Sequence, residues 1–153
     1  MVHALEEIHR LLKPGGELID IHPVSEPSPI EIYRDGKIDL AGHLTVRQWC
    51  LDFEQADNAL AEIIQRGMFT VEQKGMFDTL TYYDSAAEMG TSFKESIHKY
   101  ARDAQSVDEA LLLAEALAKR AKKLMQTAGS GAKLVMRDEN HISRLMPNKN
   151  RIV

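Results

Sequence analysis

Cysteine is almost missing from this 153-residue chain: Cys50 stands alone. One thiol excludes an internal disulfide framework and a cysteine-rich zinc site, and it fits a reducing cytoplasm. Aromatic residues make up only 6% of the chain, and no apolar run approaches the roughly 20 residues of a membrane span. Excess positive charge is missing too. With 19 Lys and Arg against 23 Asp and Glu, the formal net charge is −4, which offers no general attraction to nucleic acid or an anionic membrane. The N-terminus carries Glu6 and Glu7 where a secretory signal would be basic and then apolar. The expectation is a cytoplasmic protein with neither a nucleic-acid nor a membrane partner.

At 44% hydrophobic and 27% charged, the chain has enough apolar mass for one domain over residues 1–153. Val2, Leu5, Ile8 and Leu12 recur at helical spacing. Lys13 follows, Pro14 blocks continuation, and Gly15 or Gly16 can take the positive φ of a helix exit. Glu17 to His22 then carries Leu18, Ile19 and Ile21 between Gly16 and Pro23, the composition of a short strand buried on both faces.

Further along, Pro23, Pro27 and Pro29 with Ser25 and Ser28 make a stiff loop. Ile30, Ile32, Ile38 and Leu40 alternate with polar residues around Asp35-Gly36, which predicts a hairpin with a type I′ turn. Asp52 with Gln55 matches a capping box, and Phe53, Ala56, Leu60, Ile63 and Ile64 form a helical stripe closing at Gly67. Met68–Gln73 and Met76–Tyr83 flank Lys74-Gly75, a second expected hairpin. Ser85 with Glu88 and Ser106 with Glu109 predict the starts of two C-terminal helices, the second ending at Gly129-Ser130-Gly131. Leu134–Arg137 and His141–Leu145 then read as a last hairpin or one bent strand.

Leu12-Lys13-Pro14-Gly15-Gly16 resembles the helix-to-strand turn before the fifth strand of class I S-adenosylmethionine-dependent methyltransferases. The order that follows, a helix and then two antiparallel strands, continues the resemblance through about Tyr83, a little over half the chain. It implies an α/β class: a partial Rossmann-like methyltransferase fold, with a mixed sheet, antiparallel hairpins and C-terminal helices. Residues 1–84 would form the methyltransferase-like part, and 85–153 the helical pair and last hairpin. In the family, the cofactor-binding half precedes this turn. The resemblance therefore implies a protein lacking that half, inactive alone, with S-adenosylmethionine as cofactor only if the missing half completes it. The alternative is a non-catalytic dimerisation or interaction module.

A methyltransferase needs a Gly-rich turn after its first strand and an acidic residue to hold the ribose. The only Gly-x-Gly, Gly129-Ser130-Gly131, follows a helix, so it reads as a C-cap and no cofactor-binding residue is assigned. The catalytic candidates are Asp20, His22 and His43. His22 lies just past the carboxyl end of the first strand, where open α/β sheets collect small-molecule ligands, and Asp20 shares its face. An acid/base or orienting pair is the functional reading, and a hydrogen-bonded histidine beside a proline loop the bland one. His43, after the Asp-Gly turn, is a weaker version of the same case.

The six histidines show no His-Glu-x-x-His spacing, so no metal site is assigned. Tyr82 and Tyr83 read as packing residues ahead of a helix N-cap, Lys119 to Lys123 as cations suited to a helix C-terminus, and Cys50 as a buried thiol. The first strand should leave an open edge and an apolar face, which either a second copy of the chain or its own long helix from Val107 would cover, and the homodimer is the expected cover of the two.

Overall fold

The computed structural model describes residues 1–100 and 104–148. It is an α/β structure with the element order α1 (Val2–Leu11), β1 (Leu18–Pro23), β2 (Ser28–Arg34), β3 (Lys37–Leu44), α2 (Arg47–Gln65), β4 (Phe69–Tyr83), α3 (Ala86–Tyr100), α4 (Ala104–Ala128) and β5 (Lys133–Pro147). The five strands form an antiparallel sheet rather than the mixed sheet the resemblance implies, with β1, β2 and β4 all pairing with β5 and β3 pairing with β2. No described helix is long and apolar enough to cross a membrane.

Contacts group the chain into two compact units. The first comprises Met1–Ser25, Leu51–Phe77 and Glu139–Val153. Its helix α1 ends where Pro14 forbids a further turn. Gly16 then donates its N–H to the Lys13 carbonyl at 2.9 Å while Gly15 holds φ 77°, the geometry of a type II turn with Pro at its second position. That turn aims the chain into β1. Leu60, Ile63, Phe69 and Leu145 form the core here, joined by Leu5, Leu12 and Leu18.

β1 differs from the strand expected. Leu18 and His22 face inward while Ile19 and Ile21 remain 51% and 54% exposed, so one face is open instead of both being covered. Antiparallel pairing to β5 explains this, because only one side of the strand lies on the core.

The second unit comprises Glu26–Cys50 and Asp78–Asp138. The Asp35-Gly36 hairpin forms as predicted, with φ 48° and 76° at the two central residues and Arg34 opposite Lys37. Helices α3 and α4 cover its sheet through Met89, Phe93, Ile97, Ala114, Leu117 and Ala121, against Ile30, Ile32 and Leu134. Ser85 accepts the Glu88 backbone N–H at 3.1 Å, and Glu88 reaches back to accept that of Asp84 at 2.7 Å, one residue before the cap, so Ser85 caps α3 as expected.

Three other expectations give way. α2 begins at Arg47 and α4 at Ala104, so Asp52 and Ser106 lie inside helices instead of capping them. β4 runs unbroken through Lys74-Gly75, with Gly75 lying 3.4 Å from the Ile142 side chain were it to carry a Cβ. Pairing with β5 keeps it extended. β5 likewise passes straight through Asp138-Glu139-Asn140, the single-strand alternative.

Candidate functional site

Within the first unit, the face of β1 and β5 that lies on the core grades from apolar to polar. Leu18 stands opposite Leu145, then Asp20 opposite Ser143, then His22 opposite His141. Residues directly opposite in an antiparallel pair share a face, so these six side chains line one surface. Asp57 reaches the same place from α2. It sits three residues before Leu60 and seven before Ile64, which puts a carboxylate on the apolar side of that helix.

The result is a chain of polar contacts centred on His22. Its Nδ1 lies 2.7 Å from Asp20 Oδ2, and its Nε2 lies 2.9 Å from Asp57 Oδ1. His141 Nδ1 is 3.7 Å from the same Asp57 oxygen, and its ring meets that of His22 edge-on with centroids 5.6 Å apart. His22 is buried. Asp57 and His141 keep 43% and 38% of their side-chain surface in solvent, so they form the open rim above it.

Burial on its own would push the His22 pKa down. The hydrogen bond to Asp57, the charge of Asp20 and the hydrogen bond to Asp20 together outweigh it and raise the pKa above the ordinary histidine value. An imidazole hydrogen-bonded at both nitrogens to carboxylates is held in one orientation and favours its protonated form.

Of the residues singled out from sequence, Asp20 and His22 come together as expected. His43 does not join them. It lies on β3 in the second unit, opposite Pro29 and exposed. Asp57 and His141 are the two site residues that sequence reasoning missed. Asp57 had a signal, a carboxylate on the apolar stripe of α2 between Phe53 and Leu60, whereas His141 had only its place in an alternating run.

The residues fit S-adenosylmethionine poorly. Gly129 and Gly131 have φ 80° and 87°, but they carry the chain from α4 into β5. A Cβ at Gly129 would stand 2.7 Å from the Arg34 guanidinium, so this turn packs against a side chain and offers no cradle for the cofactor. No Gly-rich turn follows β1 among the described residues. The chain matches no family model, no curated protein and no solved structure.

Proposed function

We propose that this chain is methyltransferase-like, a part of a Rossmann-like methyl-transfer fold. It presents the acceptor side of a small-molecule pocket at the carboxyl end of β1 and works in the cytoplasm. The observation that carries this reading is the placement of His22, set between Asp20 and Asp57 just beyond the turn formed by Lys13, Pro14, Gly15 and Gly16.

In this reading the Asp20–His22 pair holds Asp57 from beneath, and the more open Asp57 and His141 meet a polar acceptor from the solvent side. S-adenosylmethionine, where used, is held by groups other than the described residues. No step of the transfer is assigned to this chain beyond holding and orienting the acceptor.

Two measurements test it. Calorimetric titration of the chain with S-adenosylmethionine should show no saturable heat, and one-to-one binding would overturn the acceptor-side assignment. The genomic frame on the 5′ side of the Met1 codon should encode a strand followed by Gly-x-Gly. Unrelated coding sequence there would sink the methyltransferase reading.

A second reading, a non-catalytic homodimerisation module, is favoured by one observation: Ile19 and Ile21 lie half exposed on β1, which ends the sheet. Sedimentation equilibrium decides it. A concentration-dependent dimer that Ile21→Glu abolishes would support this reading, and a monomer at all concentrations would end it.

A further inference from the structure

The geometry points to a divalent transition-metal site formed by His22 Nε2, Asp57 and His141. The inference stands apart from methyl transfer, because it needs only side chains of the first unit. One ligand atom from each of the three residues lies within 4.8 Å of the other two. Ligand atoms that sit about 2.0–2.2 Å from a metal stand about 3–3.5 Å from one another, and the 2.9 Å and 3.7 Å separations around Asp57 Oδ1 fall on either side of that range. His141 stands on the rim, with 38% of its side-chain surface in solvent.

The surroundings also suit a cation. His22 Nε2 and Asp57 Oδ1 now share a hydrogen bond, and a metal bound to both would replace it. Asp20, bonded to His22 Nδ1 at 2.7 Å, fixes the ring with Nε2 directed at the site, the role a carboxylate plays behind a ligating histidine. Asp20 and Asp57 together offset a double positive charge.

Two imidazole nitrogens and one carboxylate oxygen select zinc, ferrous iron and their neighbours over magnesium or calcium, which prefer oxygen donors alone. Three protein ligands with a solvent-facing rim leave positions open for water or a substrate, the pattern of a catalytic centre and not of a closed structural one.

The test uses the full chain, stripped with a chelator and titrated with zinc sulfate by calorimetry, with ferrous iron under anaerobic conditions and with magnesium as a hard-cation control. Zinc or iron should saturate at one ion per chain, and the tighter of the two identifies the preferred metal. Asp57→Ala and His141→Ala change partly exposed residues and should stay folded by circular dichroism, yet each should weaken binding by at least about tenfold. Asp20→Ala should weaken it by roughly ten- to a hundred-fold through loss of the orienting bond. Cobalt loaded in place of zinc should give visible bands that the Asp57 and His141 variants lose. The inference is overturned by an absence of saturable zinc and iron binding, by binding undiminished in both variants, or by magnesium binding as tightly as zinc. None of these results depends on whether S-adenosylmethionine binds.

Discussion

His22 and Asp57 lie 35 positions apart in sequence, and their side chains meet with Nε2 2.9 Å from Oδ1. One comes from a strand and the other from the helix packed on it, so the contact forms only when α2 docks on the core of the first unit. It links the candidate site directly to folding.

Asp57→Ala should therefore lower stability as well as metal affinity. The substitution leaves the Nε2 of a buried imidazole without its acceptor, a loss of about 1–2 kcal/mol, held to the lower part of the usual range because Asp57 itself is 43% exposed. Urea denaturation in the presence of a chelator measures this. A value near zero would show that water replaces the carboxylate at no cost. Saturating zinc added to the wild-type chain should act in the opposite direction, by about 2.7 kcal/mol at a hundred times the dissociation constant.

Local chemistry made much of this fold legible in the sequence. Pro14 with Gly15, Asp35 with Gly36, and Ser85 with Glu88 each encode their turn or cap within five residues, and all three form. The misreadings are non-local in origin. Lys74-Gly75 carries a turn signal, but hydrogen bonding of β4 to β5 holds it extended, and β5 lies some 60 residues further on. The open face of β1 has the same cause, since its partner β5 is antiparallel and comes last in the chain. The site divides along the same line. Asp20 and His22 are two apart on one strand and could be paired by alternation, whereas Asp57 and His141 reach them only through the docking of α2 and the register of β5.

Gly42 and Gly36 both have positive φ, yet they should respond differently to alanine. Gly42 has φ 147°, and an added Cβ would stand 2.7 Å from Leu117 Cδ2 in the core of the second unit. Gly36 has φ 76° with nothing within 4 Å. Gly36→Ala should cost about 1 kcal/mol from backbone strain alone. Gly42→Ala should cost about 2–4 kcal/mol, because overpacking adds to strain. Thermal denaturation of the two variants side by side checks the order, and equal losses would show that α4 yields freely at Leu117.

Glu31 is a buried carboxylate whose partners are Arg137, through Nε at 3.4 Å and Nη2 at 3.3 Å, and the Tyr33 hydroxyl at 2.8 Å. Removing the guanidinium leaves a buried charge poorly compensated. Arg137→Ala should cost about 2–3 kcal/mol, less than a wholly buried pair because the arginine side chain is 34% exposed. Replacing both Glu31 and Arg137 with methionine should recover most of that loss, since the uncompensated charge disappears with its partner. Chemical denaturation of the three variants forms the comparison. A double variant less stable than Arg137→Ala would show that the pair contributes more than its desolvation costs.

Tyr33 supplies the pH dependence of the same cluster. Its hydrogen bond to Glu31, then desolvation and the nearby Glu31 charge, raise its pKa above the ordinary tyrosine value, against a smaller opposing effect of Arg137. The folded protein therefore holds the phenolic proton more tightly than the unfolded chain does. The stability this contributes is present in full below the unfolded value of about 10 and is lost as pH rises through the higher folded value. Tyr33→Phe has no proton to lose, so its stability relative to wild type should improve over that alkaline window and stay constant below it. Denaturation curves of both proteins, taken from neutral pH upward, measure the difference, and ultraviolet titration of tyrosinate absorbance should show one late-titrating group missing from the variant. A stability gap that does not change with pH would mean that Glu31 releases the hydroxyl before it ionises.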